Sequence, residues 1–198
     1  MNVLWAVIIL AATIAAFAAL LTAHLVPSGL SPLRDPVSAY GISRYAGLYR
    51  AQTLATAVAA AAGAIALALL IGAAATPAVI SLAVLALARG VISWVPMDAP
   101  GETRSGTGRA HNLLAFAAFA AASVSGFMVG IAFGATTAFA AFAPTATVFG
   151  WIATIASAVT LLAAVVRPLS AIFGLAERVI YIGMLGLLVT VGVAFALV

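Results

Sequence analysis

Apolar positions in this chain run on in long blocks, near residues 4–25, 48–74, 78–95, 110–133, 145–166 and 175–198. A bilayer core of roughly 30 Å needs about 20 apolar residues in a helix, so each block is long enough, or nearly so, to cross it. The blocks are continuous and rich in alanine and leucine, whereas barrel strands would alternate in polarity over about 10 residues. The pattern therefore predicts an all-α fold: a polytopic membrane helix bundle of about six transmembrane helices in a single domain over 1–198. The first block has no basic leader and exceeds a signal-peptide core, and it reads as an uncleaved span.

The connections differ in character. Segments 72–77 and 134–144 are short, uncharged turns, while 26–47, 96–109 and 167–177, with their flanking helix ends, hold all the charge. With six spans these three connections share one membrane face, and both termini lie on the other. Arg34, Arg44, Arg50, Arg89, Arg104, Arg109, Arg167 and Arg178 gather at that face, with Asp35, Asp98, Glu102, Glu177, His24 and His111. Read as topological markers, the arginines place this face in the cytoplasm by the positive-inside rule; arginines that belong to a site would not report topology.

Composition closes off several chemistries. The chain is 66% hydrophobic and 6% charged, against about a quarter charged in soluble domains. Without cysteine there are no disulfides, thiolate metal sites or iron–sulfur clusters. Without lysine there is no P-loop or Schiff-base lysine, and Gly101-Glu-Thr-Arg-Ser-Gly106 is no phosphate loop. The net charge of +4 is too sparse and interrupted for nucleic acid.

On the polar face, Asp35-Pro36 reads as a helix start, with Asp35 capping and Pro36 in the first turn. Val37, Tyr40, Arg44, Tyr45 and Leu48 follow at helical spacing, which predicts a short interfacial helix leading into span two. In a sharper reading Asp35 and Ser38, one turn apart, project into a shared site. Asp98 before Ala-Pro-Gly reads as a turn former, and His111 opens span four. Arg89 lies about 10 Å below Pro96 on the helix rise. An intramembrane arginine faces a partner or a water cavity, with Asp35, Asp98 and Glu177 available as counter-charges, unless it snorkels to the interface. Glu177-Arg178 poses the same question on span six. Gly126, Gly130 and Gly134 form a stripe that admits a close helix neighbour, from this bundle or from a second copy. Pro36-Val-Ser-Ala-Tyr-Gly-Ile-Ser-Arg44 also faintly echoes Pro168-Leu-Ser-Ala-Ile-Phe-Gly-Leu-Ala-Glu-Arg178.

In order along the chain, Asp35-Pro-Val-Ser-Ala-Tyr-Gly41, Pro96-Met-Asp98, Gly108-Arg-Ala-His111 and Gly174-Leu-Ala-Glu-Arg178 resemble the prokaryotic six-span membrane proteins catalogued as domain of unknown function 998. The resemblance covers essentially the whole chain and brings no established activity. It implies motif loops outside the cytoplasm, opposite to the positive-inside reading. A more distant likeness is to intramembrane metal-dependent hydrolases related to alkaline ceramidases, in which Ser38, Asp98 and His111 could be cast. Zinc there needs about three protein ligands, and two histidines do not provide them, so no metal is expected.

Two function classes follow. The first is a non-catalytic lipid-binding, scaffold or accessory membrane protein, its partners membrane lipids, itself or a larger membrane complex. In it Asp35, Arg50, Arg89, Arg109, Glu177 and Arg178 form a ligand-binding or loop-locking polar network. The second is a lipid- or headgroup-directed hydrolase or transferase. There His111 is the general base oriented by Asp98, Ser38 is the nucleophile, and Arg50, Arg89 and Arg109 hold an anionic headgroup. A weaker third reading places a haem between His24 and His111; otherwise no cofactor is expected. Proton coupling through midplane carboxylates is not expected, since no acid lies there.

Overall fold

In the computed structural model, which describes residues 2–99 and 101–198, six long helices account for the apolar blocks. They are α1 (Asn2–Leu25), α2 (Ala46–Leu70), α3 (Thr76–Ile92), α4 (Gly106–Gly134), α5 (Ala143–Val165) and α6 (Phe173–Leu197). All six are long and apolar enough, with the short turns that precede some of them, to cross a membrane. In lipid this is the expected outcome, because a helix satisfies its backbone hydrogen bonds within the segment.

Each helix packs on its neighbours in sequence, and α6 closes the ring against α1. Helix α6 also touches α2 and α4, and it is the most buried of the six. The ring is drawn tight by small residues. Gly126 and Gly130 of α4 face Gly150, Thr147 and the Ala143 and Ala146 carbonyls of α5, where a Cβ has no room. Gly134 is exposed at the helix end and makes no such approach. The glycine stripe is thus used inside the chain, with two of its three members on α5, and is not a free face for a second copy. At the charge-poor end, Phe133, Phe139 and Phe195 pack ring against ring, with centroids 5.3 to 6.2 Å apart. That core needs no polar side chain.

Boundaries shift where local chemistry overrides hydropathy. Span two ends at Leu70 rather than 74, because Gly72 takes a left-handed φ of +77° and turns the chain through a 3-10 helix at Gly72–Ala75. Helix α4 starts four residues before its apolar run. The Ser105 hydroxyl caps it by accepting from the Gly108 amide at 2.9 Å, so Gly-Thr-Gly-Arg is helical despite its polarity. Pro100, in the turn expected after Asp98, lies outside the described residues.

The expected interfacial helix is corrected in kind. Only Val37–Ile42 is helical, as a 3-10 helix, and extended Ser43 separates it from α2. Its Val37, Ala39 and Tyr40 are buried, so it is tucked against the bundle. Asp35 does not cap it: the carboxylate turns back to accept from the Ser31 amide at 2.7 Å. The echoed segment also forms a six-residue 3-10 helix, Arg167–Ile172, leading into α6, as does Thr137–Phe142 before α5.

Candidate functional site

The four motif segments tie to one another in two pairs. In the first pair, the loop after α1 docks on the head of α6. The Leu175 amide donates to the Leu33 carbonyl at 3.0 Å, and the Val37 amide donates to Glu177 Oε2 at 2.7 Å. Arg178 Nη1 donates to the Asp35 and Gly174 carbonyls, at 2.9 and 2.8 Å, and its Nε donates to His24 Nε2 at 2.5 Å. Gly174 leaves room for the passing Asp35 and Pro32 carbonyls. His24 completes the set by holding the Leu20 carbonyl through Nδ1 at 2.6 Å. A carbonyl only accepts, so His24 carries its proton on Nδ1 and offers its Nε2 lone pair to Arg178.

In the second pair, the segment after α3 docks on the head of α4. Asp98 accepts from the Ser105 amide and hydroxyl, at 3.1 and 2.5 Å, and Ser105 in turn caps α4. These hydrogen bonds hold the Asp98 carboxyl below its ordinary range, the Ser105 hydroxyl contributing most and Arg104 and Arg109 adding weaker attraction. A Cβ on Gly108 would fall on that carboxylate. His111 is buried, 3% exposed, and its Nδ1 meets the Val95 carbonyl at 2.6 Å. Ser38 links the two pairs by donating to Met97 Sδ at 3.2 Å.

Below them Arg89 is 1% exposed, so it does not snorkel. Its Nη2 donates to Gln52 Oε1 at 2.5 Å, and its guanidinium lies 5.1 Å from the centre of the Tyr181 ring. Gln52 passes the chain on to Thr56 at 3.1 Å. The partner is thus a neutral amide on α2, not one of the expected carboxylates. Gln52 was missed in the sequence, although a lone side-chain amide inside an apolar run is the signal that could have found it.

Ser38, Asp98 and His111 do not assemble as a triad. Asp98 is engaged with Ser105, and His111 is oriented by a backbone carbonyl instead. Nor do Asp35 and Ser38 share a site. Ser38, Arg50 and His111 do come together, on the wall of one cavity of about 130 Å³ between the 3-10 helix, α2 and the end of α3. Tyr49, Trp94 and Met97 also line it, and the Arg50 guanidinium sits 4.3 Å from the Trp94 ring centre. With Nδ1 tied to Val95, His111 Nε2 is buried and has no partner. Arg109 is exposed on α4 and lies outside this wall. His24 Nε2, which the haem reading would give to iron, accepts from Arg178. Among the described residues no cluster of three or more His, Asp or Glu side chains could hold a metal ion.

A ring of six apolar helices, with buried polar ties at the end that carries the charged loops, defines a multi-pass helical membrane protein. The chain belongs to the DUF998 family, described as a protein of unknown function, whose model matches residues 10–194. No curated protein and no solved structure matches it significantly.

Proposed function

We propose that this is a non-catalytic lipid-binding protein of the cell membrane, whose polar end holds a lipid headgroup in the cavity beside Ser38, Arg50 and His111. The observation that carries the reading is the buried His111 Nε2, left without a partner on a cavity wall that also bears Arg50. A buried polar atom without a hydrogen bond costs about 1–3 kcal/mol, which a ligand's donor would relieve. Because the Val95 carbonyl fixes the proton on Nδ1, Nε2 is an acceptor and calls for a hydroxyl or ammonium group. Arg50 at the rim suits the phosphate that accompanies such groups in phospholipids. At about 130 Å³ the cavity is far below the 300–1,000 Å³ of drug-sized sites, which supports a headgroup fragment rather than a whole lipid.

The test is thermal unfolding of the detergent-purified protein with added phosphatidylethanolamine. The wild type is expected to be protected in proportion to the logarithm of lipid concentration, and Arg50→Gln, on the exposed rim, to be protected less at each concentration. Equal protection of both proteins, or none of either, would refute it. The second reading, a headgroup-directed hydrolase or transferase, is favoured by one observation: Ser38 and a tautomer-fixed His111 line the same cavity. It requires Ser38 to leave Met97 on substrate entry. Lipid turnover by the purified protein that Ser38→Ala abolishes would establish it.

A further inference from the structure

A second feature lies apart from that cavity and shares no lining residue with it. An apolar groove of about 560 Å³ runs between α1 and α6, floored by Phe149 of α5, and ends at His24 and Arg178. Its length can be read from the two antiparallel helices that form it. From Thr13 to His24 on α1, and from Val189 back to Arg178 on α6, the rise is about 16 Å. One leaflet of a 30 Å hydrocarbon core is about 15 Å deep. The groove is therefore about as long as one leaflet is deep, and His24 and Arg178 stand at one end of it.

Arg178 gives the groove its selectivity. All of its hydrogen bonds go to neutral acceptors: His24 Nε2 and the Asp35 and Gly174 carbonyls. The adjacent carboxylate, Glu177, accepts from the Val37 amide instead. Arg178 Nη2 is buried and has no partner. A guanidinium hydrogen-bonded only to neutral groups at the mouth of an apolar channel, with one N–H left over, attracts an anion attached to a hydrocarbon chain. A second protein copy would cover the apolar walls but leave this charge unmet.

We infer that the α1–α6 groove binds one acyl chain of an anionic phospholipid, with the lipid phosphate on Arg178 Nη2. This goes beyond the headgroup cavity, and its test reads different residues. The occupant is a membrane lipid rather than free phosphate, because exposed Ile14, Phe17 and Ile182 on the groove walls need a hydrocarbon partner.

The experiment is native mass spectrometry of the purified protein titrated with phosphatidylglycerol or, separately, phosphatidylethanolamine, both of which offer His111 a donor while only the first is anionic. The wild type should bind the anionic lipid about tenfold more tightly, the effect of one charge-assisted hydrogen bond. Arg178→Gln should bring the two lipids within about twofold. Ile14→Trp fills the groove from the lipid-facing side, leaves every polar tie intact, and should reduce binding of both lipids; it carries the test if Arg178→Gln does not fold. Arg50→Gln should leave the preference for phosphatidylglycerol unchanged, which separates this site from the cavity. Inorganic phosphate should not displace bound lipid. Equal binding of the two lipids by wild type, full preference retained in Arg178→Gln, displacement by inorganic phosphate, or a lipid-free dimer that Ile14→Trp dissociates would each overturn the proposal.

Discussion

Replacing Glu177 by leucine removes the tie between the first polar loop and α6 with little change in side-chain volume. The carboxylate accepts from the Val37 amide at 2.7 Å, and the two residues are 4% and 1% exposed. Hydrogen bonds to a charged group contribute about 1.5–3 kcal/mol, and a buried donor left unpaired costs about 1–3 kcal/mol; these describe one loss from two sides. Leucine also removes the cost of burying a carboxylate, which offsets part of it. A net loss of about 2 kcal/mol is expected, or about 4–8 °C in Tm for a chain of this size. If Val37 exchanges by local opening, its amide should exchange about 30-fold faster.

Glu177→Gln separates the hydrogen bond from the charge. Its amide oxygen can still accept from Val37, so a loss of about 1 kcal/mol is expected and Val37 should stay protected. Hydrogen–deuterium exchange on peptides covering Val37–Ile42, beside thermal unfolding in one detergent, reads both quantities. Unchanged exchange in Glu177→Leu would show that this bond does not hold the loop. Equal acceleration in both variants would show that the carboxylate charge does the holding.

The remaining predictions concern the other polar ties and the glycine contact. Arg89→Met should cost about 2 kcal/mol by stranding Gln52 Oε1, and Arg89→Met with Gln52→Leu should recover at least half of that; additive losses in thermal unfolding would refute the coupling. Gly126→Val should cost about 2–3 kcal/mol by forcing α4 off Gly150, while exposed Gly134→Val should cost less than about 0.5 kcal/mol, both measured as Tm shifts of the monomer. Asp98, held below its ordinary value by Ser105 in the folded protein, contributes stability that is present above the ordinary carboxylate range and lost as pH falls through its folded value. Exchange at the Gly108 amide, corrected for its intrinsic pH dependence, should therefore rise as pH falls below about 4. Asp98→Asn should show no such step, and a step that persists would assign it to another group.

The six spans were legible because lipid leaves the backbone one economical solution, and a run of about 20 apolar residues announces it. Their ends were less legible where one side chain decides, as when Ser105 caps four polar residues into α4. The polar residue types were visible too, and so was their shared face. Their partners were not. Val37 with Glu177, and His24 with Arg178, are joined over 140 and 154 residues by the closure of α6 on α1 and its loop. No local spacing encodes that closure. Asp35 shows the reverse case: its spacing to Pro36 fits a helix cap, but its carboxylate accepts from the amide of Ser31.

That difference bears on how such a chain is read for function. In a membrane every polar side chain must be paired, so the presence of Ser, His, Asp and Arg on one face does not separate a site from a set of loop ties. Here Asp98, Glu177 and His24 are consumed in ties, although by residue type they were equal candidates. The discriminating feature is a polar atom left over once the loops are fastened, on a residue that lines space a molecule can enter. His111 Nε2 meets that condition at the small cavity, and Arg178 Nη2 meets it at the apolar groove. Arg89 Nε is also without a partner, but Arg89 lines neither space, and its guanidinium is closed in by Tyr181 and Gln52. The deepest charge in the chain, the one most conspicuous in the sequence, is therefore a brace between α2, α3 and α6. Of the leftover atoms on residues that line a space, which include Ser157 Oγ at a groove between α4 and α5, the two we propose to face ligands lie nearer the charged loops.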